Sequence, residues 1–116
     1  MAFAVYYQLN DDDRDEDLTA QVEMFTELAR RRPVWLSCAS YQIDGQSRVL
    51  VIDVDDVAWL EALPGLSSYL TEIADRCQGE PRAGMVDPRA LTEVGQELGR
   101  WEPDQGVCSI PAAPPP

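Results

Sequence analysis

Apolar and polar residues alternate along residues 34–56, VWLSCASYQIDGQSRVLVIDVDD, in two β-rich runs separated by Asp44-Gly45. An Asp-Gly pair between such runs is a strong hairpin signal, because a type I′ turn needs positive φ at both central residues. With Ile43 facing Gln46, the pairing continues through Tyr41/Arg48, Ala39/Leu50, Ser37/Ile52 and Trp35/Val54. One face then carries Trp35, Tyr41, Ile43, Leu50, Ile52 and Val54. The other carries Val34, Leu36, Cys38, Val49 and Val51, diluted by Ser40, Gln42, Ser47 and Asp53. Both faces are partly apolar, which is more than a sheet with one wet side requires.

The flanking segments read as strands and helices in turn. Residues 2–9 alternate as a strand, with Phe3, Val5, Tyr7 and Leu9 on one side and Ala4, Tyr6 and Gln8 on the other. Residues 18–32 place Leu18, Val22, Phe25, Leu28 and Ala29 on one helical stripe. Asp15 or Asp17 is the expected cap, Arg30, Arg31 and Arg32 suit the C-terminal dipole, and Pro33 stops the helix. Asp55 or Asp56 can cap a short turn over 57–63, interrupted by Pro64-Gly65. A helix follows over 66–78, with Leu66, Tyr69, Leu70, Ile73, Ala74 and Cys77 on one side and Gly79 as its stop. Residues 82–86 fit an edge strand or a loop. Asp87-Pro88 has the pattern of a helix start, and Leu91, Val94, Leu98 and Trp101 line the face that would follow. Gly95 and Gly99 count against that helix by about 1 kcal/mol each relative to alanine.

The order β-α-β-β-α, a short β and a last α predicts an α+β fold, a ferredoxin-like sandwich with an extra C-terminal helix. One domain is expected over 1–101, with a Pro-rich flexible tail over 102–116, where five of the nine prolines fall. A three-stranded antiparallel sheet with helices on one side is the alternative. Either layout leaves Tyr6, Val34, Leu36, Cys38, Val49 and Val51 on an uncovered face, and a patch of that kind marks an interface with a partner or a second copy.

Charge narrows the chemistry. The net charge is −12, from 21 acids and 9 bases, and every base is arginine. Without lysine or histidine there is no Schiff-base or P-loop lysine, no histidine base and no imidazole metal ligand. Cys38, Cys77 and Cys108 are scattered singly and read as free thiols rather than a zinc site. A polyanion with no basic stripe disfavours direct nucleic-acid binding. The absence of a long apolar run and of signal-peptide features predicts a cytoplasmic protein with no membrane partner.

Two acidic stretches are the candidate sites. Asp11, Asp12, Asp13, Asp15 and Glu16, with Asp17, put six acids into seven residues, as a helix start or as a mimic of phosphate charge. Asp53, Asp55 and Asp56 lie at the end of an apolar strand, where VIDVDDV resembles the strand-end D-x-D-x-[TV] motif of haloacid-dehalogenase-like phosphatases. That family also requires a downstream lysine and a longer domain, so the resemblance ends at these seven residues. No catalytic residue, metal ligand or cofactor is assigned. The expected function is a small acidic inhibitor of the toxin-immunity or phage anti-defence type, occluding a basic partner such as a nuclease, toxin or defence effector. Its contacts would be the two acidic stretches together with Tyr6, Val34, Leu36, Val49 and Val51. The alternative is a small homodimeric enzyme or ligand-binding domain with a pocket between sheet and helices.

Overall fold

Residues 2–85 and 95–112 are described by the computed structural model. The strands are β1 (Ala2–Gln8), β2 (Leu36–Gln42), β3 (Ser47–Val54), β4 (Arg82–Met85), β5 (Gln96–Glu102) and β6 (Val107–Ser109). They form one antiparallel sheet in the order β4-β1-β3-β2-β5-β6. Two helices, α1 (Arg14–Arg31) and α2 (Pro64–Arg76), lie on one face, and 3-10 turns span Asp11–Asp13 and Val57–Ala62. The protein is therefore α+β, as its alternating periodicities predict.

The main core lies between the helices and that face. Met24, Phe25 and Leu28 of α1 and Leu66, Tyr69 and Ile73 of α2 pack on Tyr7, Leu36, Cys38, Leu50, Ile52, Val54 and Trp101. A smaller cluster, Ala39, Tyr41, Val49 and Val51, occupies the opposite face with Ala4 and Ile43 against it.

The hairpin forms, but one residue out of the expected register. The pairs are Leu36↔Val54, Cys38↔Ile52, Ser40↔Leu50, Tyr41↔Val49 and Gln42↔Arg48. The cause is the turn. Asp44 folds its carboxylate back, accepting from the Gln46 and Ser47 amides at 2.9 and 2.7 Å, and Ile43 N–H reaches Ser47 O at 2.9 Å. Such an Asx turn makes a three-residue loop, in which Gly45 does not take the positive φ of a type I′ turn. Slipping one residue exchanges every side chain of β2 between faces. Leu36 and Cys38 thus go under the helices, while Tyr41 and Ile43 turn to the other side.

Helix α1 starts earlier than its apolar stripe. Its N-cap is Asp13, which makes no side-chain cap bond, and the buried positions are Asp17, Gln21, Met24, Phe25, Glu27 and Leu28. Asp17 is therefore not a cap but part of the buried stripe. The helix ends at Arg32, which takes a left-handed φ of 50° and donates its N–H to Leu28 O. Its guanidinium lies 5.7 Å from the centre of the Trp101 ring. Helix α2 opens on Pro64, and its N-terminal amides are met by a carboxylate from α1: Glu27 accepts from Gly65 N–H at 3.0 Å. The short turn capped by Asp56, which accepts from Ala58 N–H at 2.9 Å, is as expected.

Two C-terminal expectations are corrected. Of the helix expected from Asp87, residues 87–94 lie outside the described residues, and residues 96–102 are strand β5. Gly99 and Trp101 face the core, where a β-carbon on Gly99 would come within 2.9 Å of Phe25 and 2.8 Å of Pro111. Of the segment expected to run free over 102–116, residues 113–116 lie outside the described residues, while residues 102–109 turn at Pro103 and Gly106 and return as β6 along β5, and Pro111 is buried.

The two glycines should respond oppositely to alanine. Gly45→Ala should change unfolding free energy by less than about 0.5 kcal/mol, since its φ is ordinary and the nearest atom to a new β-carbon is 3.7 Å away. Gly99→Ala should cost about 1–3 kcal/mol by overpacking. Urea denaturation of both variants checks the register and the β5 assignment together.

Candidate functional site: an acidic groove at one end of the sheet

The two acidic stretches are not brought together. Asp11–Asp13 sits beside the hairpin turn, where Asp11 accepts from the Gln46 side chain and Arg14 donates to Gly45 O at 3.0 Å. Asp53 lies at the far end of β3, about 20 Å away at about 3.3 Å per residue from Ser47. Asp11, Asp12, Asp15 and Glu16 are exposed, as a solvated acidic turn requires.

The apolar half of the expected contact surface is corrected more sharply. Leu36 is in the main core, and Val49 and Val51 are 5% exposed, so none of the three is open to a partner or a second copy. Tyr6 remains 41% exposed and Val34 80% exposed, but on different parts of the molecule.

Around Val34 the chain builds a groove of about 320 Å³. The start of β2 pairs with the end of β3 through Leu36↔Val54 and Ser37↔Asp53, and β5 ends beside them, one residue past Cys38↔Trp101. The lining includes Val34, Trp35, Ser37 and four carboxylates, Asp53, Asp55, Glu102 and Asp104, with no base among the lining residues. Glu102 also accepts from Arg100 at 2.8 Å. Beside the groove, the rings of Trp35 and Trp59 meet edge to face with centres 5.6 Å apart. Asp56 stays with its capping bond outside the lining. Trp35, expected on the covered face, is partly buried against the main core and also lines the groove, whereas Glu102 and Asp104 were expected in a free tail and Trp59 had no expected role. The signal available was a tryptophan in a short turn directly after Asp55 and Asp56, the second of which caps that turn.

A second polar cluster is sealed inside. Asp17, fully buried, accepts from Arg48 at 2.5 Å, Arg76 at 3.1 Å and the Tyr69 hydroxyl at 2.9 Å. Gln21 donates to both the Tyr7 and Tyr69 hydroxyls, which lie 2.5 Å apart. Burial, joined by the nearby Asp17 charge, pushes both phenols up and away from ionisation. Burial alone pushes the Cys38 thiol up to about 12, and it also raises Cys77 and Cys108. None of these groups is presented as a thiolate or phenolate base near neutral pH. Among the described residues, no group of three or more acids or cysteines is arranged to hold a metal ion, and no helix is long and apolar enough to cross a membrane. No protein-family model, curated protein or solved structure matches the chain.

The buried phenols give the fold an alkaline limit. Their folded values lie above the unfolded value of about 10, so the stability linked to them is complete below pH 10 and is lost as pH rises through the folded values. Urea midpoints should therefore fall between about pH 9 and pH 11.5, with much of the phenolate absorbance near 295 nm appearing only on unfolding. A midpoint that is flat over this range would show that the two hydroxyls reach solvent.

Proposed function

We propose that this chain is a small acidic, non-catalytic binding protein that occludes a basic partner protein, in the manner of a toxin-immunity or phage anti-defence inhibitor. The observation that carries this reading is the groove at the end of the sheet, whose ionisable lining is carboxylate throughout. The arginines offset it only in part: Arg100 pairs with Glu102 of the lining, whereas Arg48 and Arg76 direct their charge inward to Asp17 and Arg31 pairs with Glu27. What faces solvent is a surface with acids at both ends of the sheet, which draws cationic proteins over long range and repels nucleic acid. A partner that itself handles nucleic acid has the matching positive surface.

The layout supports a rigid presenter. We read the order β4-β1-β3-β2, with α1 and α2 on one face, as a ferredoxin-like sandwich extended by β5 and β6. The alternative of a ligand pocket between sheet and helices is not favoured, because that interface is filled by the main core.

In this reading the acidic turn governs encounter. Asp11, Asp12, Asp13, Asp15 and Glu16 changed together to their amides should slow association with a basic partner, recovered on the immobilised chain, by about tenfold at low salt. The difference should shrink as ionic strength rises toward about 0.3 M, and the dissociation rate should hardly move. An unchanged association rate at low salt would mean that this turn is only a solvated helix start.

A further inference from the structure

We propose that the contact surface is the apolar patch of Val34, Trp35, Val57 and Trp59 together with the acids beside it, and that it seats an arginine-bearing extended segment of the partner. This rests on the binding-protein reading and adds to it the place and the chemistry of the contact. Two independent observations converge there. The first is apolar exposure: Val34 is 80% exposed and Val57 and Trp59 are each 45% exposed, three of the six large hydrophobic side chains left open to water among the described residues. The ring pair joins Trp59 to Trp35, and Trp35 lines the groove with Val34, so these three side chains adjoin one depression, and Val57 lies two residues before Trp59 in the same 3-10 turn. The second is charge, because Asp55 and Asp104, both exposed, line the same depression with Asp53 and Glu102.

Apolar rings beside carboxylates suit a cation that is flat, weakly hydrated and able to bond two oxygens at once, and that describes guanidinium better than ammonium. Arginine stacks on an indole face while its edge donates to acids, whereas lysine gives up more hydration for one point of charge. The fold already uses this contact internally, with Arg32 over Trp101 and Arg76 over Tyr69 at 5.7 and 5.3 Å. A phosphate backbone is excluded by the sign of the groove. A residue flanking the arginine with an apolar side chain would cover Val34, which no side chain of the described chain shields from water.

The probes are blocked peptides carrying one arginine between two leucines, with lysine and citrulline counterparts, titrated into the full chain. The three tryptophans give three indole N–H signals. The arginine peptide should move those of Trp35 and Trp59 and leave that of Trp101, which is buried and donates to Pro33 O. The lysine peptide should bind at least about threefold more weakly, and the citrulline peptide should leave the signals unmoved up to about 1 mM. Trp59→Ala and the pair Asp55→Asn with Asp104→Asn alter exposed side chains, and each should weaken the arginine peptide by about fivefold or more. The proposal falls if the arginine peptide moves no indole signal at about 1 mM, if lysine binds equally well, or if the variants bind unchanged. Concentration-dependent self-association that moves the Trp59 signal would assign the patch to a second copy and overturn it as well. Should the amide variant of the acidic turn slow a whole partner while Trp59→Ala leaves that partner's dissociation unchanged, the inhibitor reading stands and this surface assignment fails.

Discussion

A single buried carboxylate ties the layers of this protein together. Asp17 leaves α1 and meets Arg48 from β3, Arg76 from the end of α2 and the Tyr69 hydroxyl, while Gln21 bridges Tyr69 to Tyr7 of β1. Desolvating such a group is costly, and two guanidiniums and a hydroxyl in hydrogen-bonding contact are what offset that cost. The arrangement also specifies position, since a helix shifted by one turn would strand either the acid or an arginine without its partner. Glu27 repeats the logic nearly three turns later, where it meets the first amides of α2. Two acids of one helix thus hold the opposite ends of the other, and the pair runs antiparallel.

This interior bonding shapes the exterior. Arg48 and Arg76 are committed to Asp17 and unavailable to the surface, where acids outnumber the remaining arginines. The loops that carry the groove are held by strand pairing: β6 returns along β5 and fixes the turn that bears Asp104. A sheet end held in this way would meet a partner of the proposed kind without rearranging, which would lower the entropy cost of binding.

Much of the fold was legible from periodicity, because β1 and α2 each turn one regular face to the main core and β3 alternates between the two clusters. The errors have physical causes. Asp44-Gly45 suits a type I′ turn, yet the Asp44 carboxylate found the amides of Gln46 and Ser47, and one residue of slip exchanged the faces of β2. Leu98 and Trp101 fit a helical stripe, but Gly99 fits the narrow gap that Phe25 and Pro111 leave over a strand, and its lack of a side chain was the warning. Asp17 looked like a cap because a lone charge in a helical stripe has no reason to go inside. Its reasons, Arg48 and Arg76, lie 31 and 59 residues away. The groove was half legible: Asp53 and Asp55 stood out as a strand end, whereas Glu102 and Asp104 join them only through the β5–β6 turn.

The dependence of the whole fold on Asp17 is tested most directly by Asp17→Asn, which keeps the shape of the side chain and removes its charge. Equilibrium urea unfolding at neutral pH should show a loss of about 3–5 kcal/mol, or no cooperative transition at all, because two buried guanidiniums are left facing a neutral amide. A loss below about 1 kcal/mol would contradict the account and would place the organising contact in the apolar core instead.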